Sequence, residues 1–220
     1  MPYRHIIWDW NGTLLNDSHA CVTVLNEMLA LYDKPSTTHA QYLMDFDFPV
    51  SDYYERLGFN FDIDAYDRIA DQYIAIYRQR QYDCPLHEGA LAVLANCRDE
   101  GLGQSILSAY HTDLLHQIVA HFELTHFFKS LVGLDDLFAA SKIDRGRELL
   151  SQIPCPPAQV LLIGDTTHDH EVAQSLGIDC ILLCGGHQHE QRLRACGPPV
   201  LSSIRDVPRF LTTAKVIGDR

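Results

Sequence analysis

His5-Ile6-Ile7-Trp8-Asp9-Trp10-Asn11-Gly12-Thr13-Leu14-Leu15 decides the fold, because an apolar run passes directly into a carboxylate, a glycine and a hydroxyl. An unbroken apolar run bounded by a turn signal reads as a strand buried on both faces. A carboxylate at its end then lies at the carboxyl edge of a sheet, where open α/β folds bind their ligands.

Outward from that stretch, strand and helix patterns alternate with one interruption. Asn16, Asp17 or Ser18 can cap a helix in which Val22, Val24, Leu25, Met28, Leu29 and Leu31 recur at helical spacing. The pattern stays helical as far as Tyr82, with a turn at Lys34-Pro35-Ser36, a loop over 45–49, a helix over 51–57 and a longer one over 62–80. After Cys84-Pro85 come a helix (88–100), a strand (104–107), a helix (112–121), a weaker strand (130–133), a helix (142–152) and a strand (159–163). The last of these ends in Gly164-Asp165-Thr166-Thr167-His168-Asp169, and a final strand (180–183) ends at Gly185-Gly186. Short apolar strands separated by helices imply right-handed βαβ crossovers, hence an α/β, Rossmann-like parallel sheet with helices on both faces. The helical interruption is an all-helical cap inserted after the first strand. This predicts a core of residues 1–15 and 84–220, a cap of residues 16–83, and hinges at 14–17 and 82–85.

A net charge of −12 and a pI near 5.3 oppose a nucleic-acid partner, whose phosphates the overall field repels. No apolar stretch approaches membrane-spanning length and no secretory leader pattern is present, so a cytoplasmic protein with no membrane partner is expected. Seven scattered cysteines without a Cys-x-x-Cys pair read as reduced thiols.

Asp9-Trp10-Asn11-Gly12-Thr13 resembles motif I of the haloacid-dehalogenase-like hydrolases, whose phosphatases carry Asp-x-Asp-x-Thr. Ile106-Leu107-Ser108 resembles motif II, Ser141-Lys142 falls where motif III supplies a lysine, and Gly164-Asp165-Thr166-Thr167-His168-Asp169 resembles motif IV. The resemblance implies a phosphatase in which Asp9 is the nucleophile and forms an aspartyl-phosphate. Ser108 and Lys142 then hold the transferring phosphoryl group, with Thr13 beside them. Asp9, Asp165, Asp169 and the backbone carbonyl of Asn11 form an all-oxygen site for Mg²⁺, the hard cation such a ligand set suits. The implied partner is a small phosphorylated metabolite, with phosphoglycolate the leading named candidate because the helical cap resembles that of phosphoglycolate phosphatases.

One feature complicates that picture. Asn11 stands where the family's phosphatases place a second Asp as general acid/base, and an amide cannot exchange a proton with a leaving group or a water. The role falls open to His111, His168, His170 or His187, or to none, in which case the chain binds metal and a phosphorylated ligand without turning it over. Phosphonatase and dehalogenase activities rank lower. In the cap, Arg56 is a candidate for a substrate carboxylate, Phe46, Phe48 and Tyr53 for an apolar wall, and Trp10, beside the nucleophile, for a substrate contact.

Overall fold

The computed structural model describes residues 3–61, 65–134 and 141–218. Its centre is a six-stranded, all-parallel sheet in the order β3-β2-β1-β4-β5-β6. The strands are β1 (His5–Trp8), β2 (Gly103–His111), β3 (Ser130–Leu134), β4 (Val160–Gly164), β5 (Asp179–Leu183) and β6 (Val200–Leu201). Successive strand side chains point to opposite faces, and the core divides accordingly. Ile6, Trp8, Leu161, Ile163, Ile181 and Leu183 join one apolar cluster with α5 (Ala90–Asp99), α6 (Thr112–His121) and α10 (Val207–Gly218). Ile7, Val160, Leu162, Cys180 and Leu182 join the other with α7 (Ser141–Gln152), α8 (Thr167–Leu176) and α9 (Glu190–Ala195). The sheet is therefore covered on both faces, as the apolar strands require.

The opening stretch forms the middle of this sheet. Trp8 pairs with Ile106 of β2 and Ile163 of β4, and the next amide, of Asp9, donates to the Ile163 carbonyl (2.9 Å). The register brings Asp9, Ser108 and Asp165, each just past a central strand position, to one edge.

Between β1 and β2 stand the cap helices α1 (Ser18–Leu31), α2 (His39–Asp45), α3 (Val50–Arg56) and α4 (Tyr66–Tyr77). They share an apolar cluster of their own, built on Val24, Leu25, Met28, Tyr42, Tyr53, Tyr54, Ile69 and Tyr77. The loop after β5 and the start of α9 hold the cap in place: Arg192 pairs with Asp47 (2.8 Å), Gln188 donates to the Phe46 carbonyl (3.1 Å) and the His189 amide to that of Leu43 (2.9 Å).

Several elements differ from their expected form. β2 continues to His111, four residues beyond the apolar run, because polar residues at a strand end carry no hydrophobic signal. α2 is set by a capping box: Thr38 Oγ1 accepts from the Gln41 amide (3.2 Å) and Gln41 Oε1 from the Thr38 amide (2.9 Å). The expected start of the long cap helix near 62 lies outside the described residues. β6, α9 and α10 have no counterpart in the sequence reading. Among the described residues, no helix is long and apolar enough to cross a membrane.

Candidate active site

At the carboxyl edge of β1, β2 and β4, three carboxylates cluster and two of them hold one ammonium. Lys142 Nζ, fully buried, donates to Asp9 Oδ1 (2.8 Å) and to Asp169 Oδ1 (2.7 Å). Thr13 Oγ1 donates to Asp165 Oδ1 (2.7 Å) and lies 3.4 Å from Asp9 Oδ2. Ser108 is buried at the same edge and lines the same cavity as Asp9, Lys142 and Asp169. Two glycines make this crowding possible. Gly12 has φ +75°, and a Cβ there would lie 2.3 Å from Asp165 Oδ2; at Gly186 it would lie 2.1 Å from the same oxygen. Gly186 thus lets the His187 amide reach Asp165 Oδ2 (2.7 Å).

Six sequence candidates therefore converge: Asp9, Thr13, Ser108, Lys142, Asp165 and Asp169. Asp169 also works locally, since its Oδ2 accepts from the Thr166 amide and hydroxyl (3.0 and 2.7 Å) as the capping box of α8. Arg56 is not brought to the site; it is exposed, donates to the Asp45 carbonyl (2.8 Å) and lies over the Tyr53 ring. The Trp10 ring points into the sheet's core beside Phe122, away from the cavity. Phe46, Phe48 and Tyr53 do line the cavity.

The Asn11 side chain bonds away from Asp9, Asp165 and Asp169. Its Nδ2 donates both to Asp17 Oδ2 (2.8 Å) and to Tyr77 Oη (2.8 Å), so both amide hydrogens are engaged. Asp17, fully buried, is the centre of a second network: it also accepts from the Gly12 amide (2.9 Å) and Tyr77 Oη (2.6 Å), and it pairs with His187 Nε2 (3.2 Å). His187 Nδ1 meets Tyr42 Oη (2.9 Å). Asp17 stands at the cap position of α1 but makes no side-chain cap bond there. By sequence it is one of three candidate caps, Asn16, Asp17 or Ser18, and a buried carboxylate reaching back to a glycine turn leaves no local pattern to set it apart. Of the other candidate histidines, His168 stacks on Phe48 and faces Glu171, His111 Nδ1 accepts from the Asp113 amide, and His170 Nδ1 is buried with no partner.

The electrostatics divide along the same line. Burial, with Asp169 and Asp165 nearby, pushes the Asp9 carboxyl up to about 8 against the pull of Lys142. Burial and Asp169 raise Asp165 to about 6 although His187 opposes them. Burial pushes the Lys142 ammonium down, but Asp169 and Asp9 more than offset it and hold it above its ordinary value. In the second network, burial raises Asp17, but His187, Tyr77 and Asn11 outweigh it and bring the carboxyl down to about 2. His187, disfavoured by burial, is raised to about 9 mainly by Asp17.

The haloacid dehalogenase-like hydrolase model matches residues 6–183. The chain belongs to that family. Phosphoglycolate phosphatase of Caulobacter vibrioides is 24% identical over 223 residues, covering 94% of this chain and 90% of the relative. Tyrosine-protein kinase PtkA of Mycobacterium tuberculosis is 26% identical over 103 residues, so the match spans 46% of this chain and only about a third of that relative's length, 35%. The crystal structure of a predicted phosphatase from Clostridium acetobutylicum superposes with a TM-score of 0.83 at 18% identity, covering 97% of this chain and all of that one. At that identity the likeness establishes the haloacid dehalogenase-like fold, including its helical cap. What this member does rests on the geometry of its own site.

Proposed function

We propose that this haloacid dehalogenase-like hydrolase is a Mg²⁺-dependent phosphatase of a small phosphate monoester, working through an aspartyl-phosphate on Asp9. The observation that carries the reading is the Lys142 ammonium held between Asp9 and Asp169, with Asp165 and Thr13 beside them. Asp9 and Asp169 share one ammonium and Asp165 stands close by, a surplus of buried negative charge that a divalent cation corrects. The candidate ligand atoms of Asp9, Asp165 and Asp169 lie within 4.8 Å of one another, and all are oxygens, as Mg²⁺ prefers. Asp9 and Asp165 would hold the ion, with the Asn11 carbonyl. Asp169, whose oxygens serve Lys142 and Thr166, would act at its edge. When bound, Mg²⁺ supplies charge neutralisation at the phosphate oxygens.

The chain's own residues supply the remaining steps. Lys142 and Ser108 orient the phosphoryl group, Asp9 Oδ attacks phosphorus, and the ester oxygen leaves with the bonding electrons. Water then cleaves the acyl phosphate and restores the Asp9 carboxylate. Residues 16–83 act as the cap that excludes bulk water, and residues 1–15 and 84–220 as the core that carries the chemistry. Phosphoglycolate, which the Caulobacter relative's name indicates, needs a cation for its carboxylate besides those that bind the phosphate, and Arg56 points away from the cavity.

The test is phosphate release from a panel of esters with and without Mg²⁺, comparing wild type with Asp9→Asn. Activity above the Asp9→Asn background that chelator removes and Mg²⁺ restores supports the reading. Wild type at that background on every ester, while still binding Mg²⁺, sinks it in favour of a ligand-binding role.

A further inference from the structure

We infer that the ester this site cleaves is the phosphate of a small, uncharged phenol; the inference rests on the phosphatase reading above. Two observations made on opposite sides of the scissile bond point to the same leaving group.

The first is the cavity above Asp9, of about 220 Å³. Its wall away from the sheet is formed by Phe46, Phe48, Tyr53, Tyr54, Tyr73 and Ile74, among others of the same character. Among the described residues lining it, the basic groups are Lys142, His187 and His111. Lys142 is committed to Asp9 and Asp169, and His187 to Asp17 and Tyr42. Neither Lys34 nor any of the cap arginines Arg56, Arg68, Arg78 and Arg80 lines it, and the sequence places no Lys, Arg or His at 62–64 or 135–140. That leaves only the half-buried His111 to meet a second anionic group on the substrate, so burying one there is costly. An uncharged ring is suited to it: an apolar cavity of roughly 150 Å³ already accepts benzene, and aromatic walls favour edge and stacked contacts.

The second observation concerns the proton. An aliphatic ester leaves as an alkoxide, close in basicity to hydroxide (water, about 15.7), and needs an acid. A phenol, at about 10, departs as phenolate without one. The position that carries the acid in the family's phosphatases holds Asn11, whose amide is not an acid. Both Asn11 amide hydrogens are taken by Asp17 and Tyr77, and each His187 ring nitrogen has a partner. His111 Nδ1 accepts the Asp113 amide. Asp9 Oδ therefore forms its bond to phosphorus as the phosphorus–oxygen bond to the ring breaks. The phenolate takes the electron pair, and its proton comes from solvent.

The test is kcat/KM with Mg²⁺ for phenyl phosphate, benzyl phosphate, glycerol 3-phosphate and phosphoglycolate, read beside the Kd of phenylphosphonate and phosphonoacetate. Phenyl phosphate should exceed phosphoglycolate by about 10²-fold or more, the lower end of what a general acid contributes. Benzyl phosphate, which keeps the ring but is one methylene longer and leaves as an alkoxide, should fall between them, and phenylphosphonate should bind at least about tenfold tighter than phosphonoacetate. In Asn11→Asp, the ratio of benzyl to phenyl turnover should rise by about tenfold or more. Preference for phosphoglycolate or glycerol 3-phosphate, or tighter phosphonoacetate binding, overturns the phenol while leaving the phosphatase standing. A phosphotyrosyl peptide cleaved faster than phenyl phosphate overturns the small-molecule assignment. Wild type at the Asp9→Asn background on all esters ends both readings, and the two Kd values then decide independently whether the cavity prefers a ring.

Discussion

Two buried carboxylates flank the Asn11 loop, and their surroundings drive them in opposite directions. Asp9 is held up at about 8 and Asp17 down at about 2, although both are removed from water. Burial acts on both alike, so the difference lies in what each one faces. Asp9 shares a single ammonium with Asp169 and has Asp165 close by. Asp17 is directly paired with the His187 imidazolium and also accepts from the Gly12 amide, the Asn11 amide and the Tyr77 hydroxyl. One site is short of positive charge and invites a cation and a phosphoryl group. The other is complete and holds the motif loop, the cap and the loop after β5 in register.

Breaking each carboxylate should therefore give opposite results. Asp9→Asn removes the proposed nucleophile, and losses on the order of 10⁴-fold or more in turnover are expected, as for nucleophile removal elsewhere. Its metal-free stability should hold or rise, because the variant deletes an under-compensated charge. Asp17→Ala strips His187, Gly12, Asn11 and Tyr77 of their shared acceptor, and removing one partner of a buried pair costs about 3–5 kcal/mol. Urea unfolding of the two variants side by side, with phosphate release, checks both. An Asp17→Ala protein as stable as wild type would show that the second network is not structural.

The contrast also explains what could be read from sequence. Asp9, Thr13, Ser108, Lys142, Asp165 and Asp169 follow apolar strands or open helices at recognisable spacings, so strand ends and motif order carry them to one edge. Asp17 and His187 are legible only in three dimensions. Asp17 lies where any helix cap would, and His187 follows a Gly-Gly that reads as a turn; their meeting depends on the Gly12 and Gly186 approaches to Asp165. The aromatic cavity was half legible. The aromatic residues of 46–54 announced an apolar wall, whereas Tyr73, Ile74 and Tyr77 join it through the pairing of α4 with α1. Arg56 misled because side-chain chemistry says nothing about which way an exposed helix end faces.

A pH series should separate the two networks without altering the nucleophile. His187 is raised from 6.5 to about 9, so its pairing contributes fully below pH 6.5 and is lost as pH rises through 9. By linkage that contribution is about 3 kcal/mol. Asp17 acts at the other end: its contribution is present above 3.8 and lost as pH falls through 2. Asp9, raised to about 8, also makes the metal-free protein lose stability as pH rises, here from 3.8 upward. Saturating Mg²⁺ should flatten the Asp9 slope and leave that of His187. Wild type in Mg²⁺ is then expected to lose stability between pH 6.5 and 9, and His187→Gln to lose little over the same window. Equal slopes in the two proteins would assign the loss to other groups.

The smallest expected effect comes from joining the two networks through Asn11→Asp. The introduced carboxyl would sit where the Asn11 amide now meets Asp17 Oδ2 at 2.8 Å. Two carboxylates at that distance cannot both ionise cheaply, so the pair should retain a proton well above the ordinary carboxylate range. While protonated, the new group can still donate to Asp17, but the amide's second bond, to Tyr77, is lost, at about 1 kcal/mol. As pH rises and the second carboxylate forms, repulsion adds to that cost. A folded-state pKa above the unfolded value means that stability is lost with rising pH, so the deficit relative to wild type should widen between pH 5 and pH 8. The retained proton is also the acid that aliphatic esters need, so turnover of benzyl phosphate should rise on the acid side of the same window and fade as the proton leaves. A stability deficit that does not change with pH would show that the new carboxyl has turned away from Asp17, and the two networks would then be independent across Asn11.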